Sequence, residues 1–285
     1  MKKIISASRR TDLVAFFPED LARMLSEKRA RVYGPSGHTY NVDLNPQNVH
    51  SIVLWSKNFD NLINNRFHLR ERLKKYGLIY CHFTITGLGG SFIEKGVPPP
   101  EDALHQLDSL IEIVGRPENI SVRFDPIVFW ETQKGEKKTN IDFFETLAPF
   151  LAAKGIRAIR FSFAQWYNKA KRRANKAGFA YVDPSVEEKK RRTSVLVSIA
   201  KTWNLTLYSC SQKFLTEVPG VNSSACIDGA LLQSLHPQKE KVSLKKDKSQ
   251  RSECGCTDSV DIGSYAQSCP HSCLYCYANP NLNNS

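Results

Sequence analysis

The chain has 285 residues, of which 41% are hydrophobic and 24% charged, and its formal net charge is +12. These proportions are ordinary for a soluble globular protein, and a chain of this length buries a core without disulfides. No run reaches the ~18 uninterrupted apolar residues of a membrane span. The opening MKKIISASRRTDL holds too short an apolar stretch for a signal peptide. We therefore expect a cytoplasmic protein without a membrane partner.

Seven short apolar runs rich in β-branched residues predict β-strands, and they lie at 4–8, 50–56, 79–86, 121–129, 158–164, 205–210 and 259–265. Apolar residues with helical spacing predict helices between them, at 18–29, 102–115, 141–153 and 186–203. Strands that alternate with helices indicate an α/β protein with a parallel sheet. The nearly continuous apolar strands fit a doubly wound sheet as well as a barrel. No boundary divides the pattern, so we expect one domain over 1–285.

Polar side chains follow five successive predicted strands at their carboxyl ends. They are Ser8, Arg9, Arg10, Thr11 and Asp12 after the first, Lys57 and Asn58 after the second, Thr86 and Gly87 after the third, Arg123 and Asp125 in the fourth, and Ser162 and Gln165 in the fifth. Ligands of parallel α/β folds bind at this edge, between the ends of several strands. The sequence therefore predicts one shared pocket there.

The densest group of metal-type ligands lies close to the C-terminus, in the segment CPHSCLYCYANP. Its Cys-x3-Cys-x2-Cys spacing puts Cys269, Cys273 and Cys276 on one loop. Three thiolates on a cubic iron–sulfur cluster leave one iron open to a substrate or cofactor, whereas a fourth ligand would close the site. The alternative is a zinc site completed by His271 or by a distant residue.

This segment resembles the cluster-binding loop of the radical S-adenosylmethionine (radical SAM) superfamily. It is most similar to the CxHxCxYCYA loops of the spore photoproduct lyase branch, often called DNA repair photolyases. The resemblance implies that Cys269, Cys273 and Cys276 hold a [4Fe–4S] cluster, with Tyr275 beside the SAM adenine. It also implies that SAM is split into methionine and a 5′-deoxyadenosyl radical, which takes a hydrogen atom from the substrate. An electron donor such as flavodoxin or ferredoxin is implied as well.

Four further segments resemble that branch and follow its order, namely SRRTD (8–12), LWSKN (54–58), FIEKGVPPP (92–100) and VRFDPIV (122–128). The cysteine loop alone stands at the opposite end, which resembles a circular permutation. The implied fold is a partial (β/α) TIM-like barrel of radical SAM type, with its cluster-binding first strand and loop C-terminal. Strand 259–265 would then pair beside 4–8, since barrel termini can lie side by side. The whole chain is also similar to an uncharacterised bacterial family known only as a domain of unknown function.

The resemblance points to SAM-binding residues at the strand ends, for which the candidates beside Tyr275 are Ser6, Ser8, Thr11, Asp12, Lys57, Arg123 and Asp125. We expect Arg9 and Arg10 to meet a small or peptide-like substrate through a carboxylate or phosphate, because guanidinium forks suit both groups. No residue is assigned as a catalytic acid or base.

Four more cysteines lie in the region 210–258, namely Cys210, Cys226, Cys254 and Cys256. Four thiolates suffice for a second, closed [4Fe–4S] cluster, and they also suit structural zinc. Unliganded thiols are the third alternative. The stretch 236–258, rich in Lys and Ser, predicts a long loop, and Cys81 in its apolar strand predicts a core thiol.

Basic residues concentrate at 169–176, 189–192 and 239–251. These basic runs leave open the alternative that the protein is a nucleic-acid repair or modification enzyme with the same radical chemistry. An iron–sulfur protein without SAM cleavage and a zinc-stabilised nucleic-acid-binding module are further alternatives. The runs lack the interleaved aromatic residues of single-strand binders, so we favour the small anionic substrate.

Overall fold

The computed structural model describes residues 1–34, 37–264, 266–278 and 280–281. The strands are β1 (Lys3–Ala7), β2 (Arg29–Tyr33), β3 (Thr39–Asp43), β4 (Val49–Ser56), β5 (Ile79–Thr84), β6 (Ile120–Ile127), β7 (Phe129–Thr132), β8 (Lys137–Thr139), β9 (Ala158–Phe163), β10 (Phe179–Val182), β11 (Thr206–Ser209), β12 (Val221–Ser223) and β13 (Val260–Asp261). The helices are α1 (Leu13–Phe16), α2 (Pro18–Glu27), α3 (Asp60–Ile63), α4 (Leu69–Leu73), α5 (Pro100–Val114), α6 (Phe144–Ala153), α7 (Asn168–Lys176), α8 (Val186–Thr202) and α9 (Gly229–Leu235). None of them, within the residues described, is long and apolar enough to cross a membrane.

Eight strands form one sheet in the order β12-β11-β9-β6-β5-β4-β1-β13. The pairs β1–β13, β1–β4, β4–β5, β6–β9, β9–β11 and β11–β12 are all parallel. The predicted α/β class with a parallel sheet is therefore confirmed. Between the described residues no pairing joins β12 to β13, so the barrel stays a prediction.

The chain divides into two compact units that interleave along the sequence. The first holds Met1–Phe83, His105–Ile120 and Ala225–Cys269, and the second holds Thr84–Leu104, Ser121–Ser224 and Pro270–Ser285. The single domain expected over 1–285 stays a prediction.

In the first unit, the C-terminal strand lies beside the N-terminal one. Strands β1 and β13 pair in parallel with Ile5 opposite Val260 and Ser6 opposite Asp261. The pairing predicted between 4–8 and 259–265 is therefore confirmed. Strand β13 is shorter than predicted because the Asp261 side chain accepts a hydrogen bond from Gly263 N at 2.9 Å, which turns the chain away.

Strands β2 and β3 form an antiparallel hairpin in the first unit that the sequence analysis did not predict. Helix α2 begins at Pro18, as predicted, and ends at Glu27, after which Lys28 has a left-handed φ of 53°. The stretch 236–258 contains no helix or strand, as predicted from its composition.

The second unit adds an antiparallel sheet, β10-β7-β8, which was also not predicted. The sequence predicts one strand over 121–129, but β6 ends at Ile127 and β7 begins at Phe129. Between them, Val128 N donates to the side chain of Asn140 at 2.7 Å, which replaces a strand-to-strand hydrogen bond. Helix α8 begins where predicted, because the Ser185 side chain accepts a hydrogen bond from Glu188 N at 3.2 Å.

Candidate active site

The cysteine-rich segment 270–276, which we call the tail loop, is fastened to the turn at 93–97 in the second unit. Gly96 N donates to His271 O at 3.1 Å, and the His271 ring Nδ1 lies 2.9 Å from Gly96 O. Leu274 N donates to Ile93 O at 3.0 Å. A Cβ at Gly96 would lie 2.3 Å from Pro270 O, so only glycine allows this approach. The turn from FIEKGVPPP therefore positions the tail loop.

The side chain of Tyr275 strengthens this attachment. Its hydroxyl donates a hydrogen bond to Glu94 Oε1, and Glu94 is fully buried. Burial raises the pKa of Tyr275 well above its usual value, and the nearby Cys273 and Glu94 add to the shift. Tyr275 is thus a protonated donor at neutral pH. The residue predicted beside the SAM adenine is held in place by Glu94.

Arg173, from the basic run 169–176, also binds the tail loop. Arg173 in α7 donates from Nε to Leu274 O at 3.0 Å and from Nη2 to Cys276 O. A guanidinium that satisfies two carbonyls fixes the backbone between the cysteines. Sequence reasoning missed this role because Arg173 and Cys276 are 103 residues apart.

Two cysteines of the tail loop, Cys273 and Cys276, affect the pKa of Tyr181. Cys273 is buried and Cys276 partly buried. Burial raises the pKa of Tyr181, and the charges of Cys273 and Cys276 raise it further. Cys269 is the last residue of the first unit. The grouping of all three thiols around one cluster stays a prediction.

At the carboxyl end of β1, in the first unit, Asp261 connects the polar residues. Its Oδ2 accepts from Ser6 Oγ and from Arg9 N, both at 2.8 Å. Trp55 Nε1 in turn donates to Ser6 Oγ at 3.1 Å. The sequence analysis did not name Asp261, although its position at the end of a predicted strand was a signal.

The two arginines predicted to meet the substrate lie at this same strand end. Arg10 donates to Gly263 O at 2.9 Å. The Arg9 guanidinium lies 5.7 Å from the Trp55 ring centre and 3.8 Å from the Asp247 carboxylate. Both guanidinium groups therefore already have partners within the first unit.

The remaining candidates of the first unit join the ends of β1 and β4. Asp12 caps α1 by accepting from Ala15 N at 2.9 Å, and its Oδ2 accepts from Ser56 Oγ at 2.8 Å and Lys57 N at 2.9 Å. Ser8 Oγ accepts hydrogen bonds from Arg10 N at 2.9 Å and from Thr11 N at 3.3 Å. The hydroxyl of Thr11 is buried and has no hydrogen-bond partner among the described residues. Ser8, Thr11, Asp12 and Lys57 thus share one edge.

The candidates of the second unit also lie together. Arg123 forms an ion pair with Asp125, and Ser162 donates from its hydroxyl to the same carboxylate. Ser162 comes from the neighbouring strand β9, so this group ties the ends of two parallel strands. Within each unit, neighbouring strand ends therefore bring polar residues together, and the single pocket shared by all five strand ends stays a prediction.

Three of the four cysteines in 210–258 converge in the first unit. The Cys256 thiol is hydrogen-bonded to Cys226 and Cys254, and these bonds and burial raise its pKa. The hydrogen bond with Cys256 lowers the pKa of Cys254 to about 6, and the positive charge of Arg9 acts in the same direction. Three soft sulfur donors at one place have the chemistry of a zinc or iron–sulfur site. Cys210, which follows β11, belongs to the second unit.

No three His, Cys, Asp or Glu side chains, in the part of the chain that the structure describes, are arranged as a metal site as they stand. A cavity of about 540 Å³ opens in the first unit at the beginning of β5, between Tyr76, Ile79 and Ile113. None of the predicted site residues lines it. The predicted pocket at the carboxyl ends of the strands is therefore not this cavity.

No curated protein matches the chain. A family model described as "Domain of unknown function (DUF1848)" matches residues 4–278. That range includes both strand-end groups, the turn at 93–97 and the tail loop. Because the match covers nearly the whole sequence, the chain belongs to the DUF1848 family of domains of unknown function.

Proposed function

We propose that this protein is a radical SAM enzyme whose Cys269, Cys273 and Cys276 hold a [4Fe–4S] cluster. When bound, the cluster and SAM supply a 5′-deoxyadenosyl radical that abstracts hydrogen from the substrate. The observation that carries the proposal is the tail loop itself. Within the Cys-x3-Cys-x2-Cys segment, the part from His271 to Cys276 is held in one arrangement by Glu94, Gly96 and Arg173.

The residues around the tail loop fit such a group in their chemistry. Cys273 and Cys276 are soft sulfur donors, and Arg173 binds the carbonyls between them without occupying either sulfur. Tyr275 points its hydroxyl at Glu94 and so holds the loop in one arrangement. Pairing of β13 with β1 supports the permuted barrel, because it brings the strand before the tail loop beside the N-terminal strand.

The strand-end residues are proposed to bind SAM and the substrate. In this account Ser6, Ser8, Thr11 and Asp12 hold SAM together with Lys57, Arg123 and Asp125. Arg9 and Arg10 meet an anionic, small or peptide-like substrate. The thiols of Cys226, Cys254 and Cys256, with Cys210, hold a second [4Fe–4S] cluster or zinc. Such thiolate centres require a reducing compartment, which supports a cytoplasmic location and a flavodoxin- or ferredoxin-type electron donor.

A small substrate is favoured over nucleic acid by the partners of the basic run 189–192. In 189–192, Lys189 pairs with Asp183, Lys190 with Glu217, and the two arginines with Glu188. Cations neutralised by neighbouring carboxylates attract phosphates less strongly. A salt series with DNA and RNA tests this preference. Sub-micromolar binding at physiological salt with a log–log slope of roughly −4 or steeper would overturn it.

The function itself is tested by anaerobic purification followed by incubation with dithionite and SAM. An enzyme of this class releases 5′-deoxyadenosine. A brown protein that leaves SAM intact would instead be an iron–sulfur carrier. A colourless protein that contains zinc would be the non-catalytic module.

A further inference from the structure

Three aromatic side chains beside the tail loop carry buried hydrogen-bond donors that have no partner among the described residues. They are Trp130 Nε1, Trp166 Nε1 and the Tyr181 hydroxyl. Buried donors in folded proteins are almost always paired, because an unpaired donor loses its hydrogen bonds to water without replacement. Three such donors in one place therefore indicate that an acceptor belongs there.

The backbone brings the three donors together. Tyr181 in β10 lies directly opposite Trp130 in the antiparallel strand β7. The ring of Trp166 stacks on that of Tyr181, with centroids 3.5 Å apart and an angle of 22°. Leu274 and Tyr275 of the tail loop pack against the same cluster. The donors are thus part of the wall on which the tail loop rests.

The acceptor has to reside within the fold, since the three donor atoms are closed to solvent. Several backbone carbonyls of the tail loop already accept hydrogen bonds. Cys273 O accepts from Cys276 N at 3.1 Å, and Arg173 binds the carbonyls of Leu274 and Cys276. Leu274 and Tyr275, which lie between Cys273 and Cys276 along the chain, pack against the same side-chain cluster as the three donors. Sulfur at the metal centre is therefore the acceptor that fits, because ligating thiolates and cluster sulfides accept hydrogen bonds.

We infer that Tyr181, flanked by Trp130 and Trp166, donates a hydrogen bond to sulfur at the metal centre of the tail loop. This inference rests on the proposed function for the identity of the metal centre. A donor to sulfur stabilises the reduced, more negative centre more than the oxidised one, and thus raises the reduction potential. Tyr181 is therefore a positioning and tuning residue, and the two tryptophans are additional donors.

The test uses Tyr181→Phe in the full, reconstituted chain. A redox titration followed by absorbance or electron paramagnetic resonance should give a more negative midpoint potential than wild type, at equal iron content. Trp166→Phe, which removes Nε1 and keeps a ring for stacking, should shift the potential in the same direction. The matched control is Tyr208→Phe, because the Tyr208 ring contacts Arg160 in the second unit and should leave the potential unchanged.

The outcomes separate this inference from the proposed function. If wild-type protein contains iron and its midpoint potential equals those of Tyr181→Phe and Trp166→Phe, the inference is overturned and the proposed function stands. Wild-type protein without iron would overturn the function, and cobalt(II) then serves as the probe. A sulfur-to-cobalt charge-transfer band that moves in Tyr181→Phe and not in Tyr208→Phe supports the inference. Absence of that band, or an unmoved band, overturns it.

Discussion

The Tyr275 hydroxyl donates a hydrogen bond to the buried Glu94, a residue that precedes it by 181 positions. Glu94 and its neighbours in the turn therefore hold the tail loop in place. A segment that carries the proposed metal ligands is thereby held by the interior of the second unit.

Replacement of Glu94 by alanine should destabilise the protein by about 1–3 kcal/mol, because the buried Tyr275 hydroxyl would lose the carboxylate that accepts its hydrogen bond. Glu94→Gln retains an acceptor oxygen and should cost less. Urea denaturation of both variants measures the difference. Equal losses of stability in the two variants would contradict the proposed role of the Glu94–Tyr275 hydrogen bond.

Gly96→Ala should displace the tail loop, since the new Cβ would meet Pro270 O at 2.3 Å. We expect a loss of about 1–3 kcal/mol and faster proteolytic cleavage in the loop. Gly34→Ala is the matched control, because its Cβ would lie at an ordinary 3.4 Å from the nearest atom. A tail loop cleaved no faster in Gly96→Ala than in Gly34→Ala would refute the close approach.

Asp261→Ala should destabilise the first unit by about 2–4 kcal/mol, because Ser6 Oγ, Arg9 N and Gly263 N would lose their shared acceptor. Asp258→Ala provides the control. That side chain is exposed and accepts only a 3.2 Å hydrogen bond from Ser243, so its loss should stay within about 0.5 kcal/mol. Thermal unfolding compares the two. Similar effects would show that Asp261 does not tie β13 to β1.

In metal-free protein, Cys254 should react with iodoacetamide at pH 7 faster than Cys81. The pKa of Cys254 is lowered to about 6, so this thiol is largely a thiolate at pH 7. Burial raises the pKa of Cys81, which keeps that thiol protonated. The Cys254 rate should fall as pH decreases through about 6. Mass spectrometry of the alkylated peptides measures both rates, and equal rates would argue against a thiolate at Cys254.

Much of the parallel sheet was predictable because its strands are local apolar runs. The pairing of 4–8 with 259–265 was also predicted, from the order of the segments that resemble the radical SAM branch. This pairing is confirmed. Hairpin β2–β3 was missed, although its RARVY strand alternates between exposed and buried residues as half-buried strands do. An alternating pattern of only five residues is too short to be distinguished from the spacing of apolar residues in a helix.

The residues that hold the candidate site in place were less predictable than the cysteines proposed as its ligands. Cysteine spacing is visible along the sequence, but Glu94, Arg173 and Asp261 act through partners more than 100 residues away. No local pattern distinguishes a buried glutamate from a solvated one. Arg173 even lies in a run whose composition suggests a nucleic-acid surface, and only the fold assigns it to the tail loop.

The central claim is that the tail loop holds a cluster that supports SAM cleavage, and one comparison tests it most directly. Wild-type protein and the variant with Cys269, Cys273 and Cys276 all changed to alanine are purified anaerobically and assayed for iron, sulfide and 5′-deoxyadenosine. We predict that the variant contains about four fewer irons per chain and forms no 5′-deoxyadenosine with dithionite and SAM, whereas wild type forms it. Equal iron content in the two proteins, or a wild type that leaves SAM intact, would contradict the account.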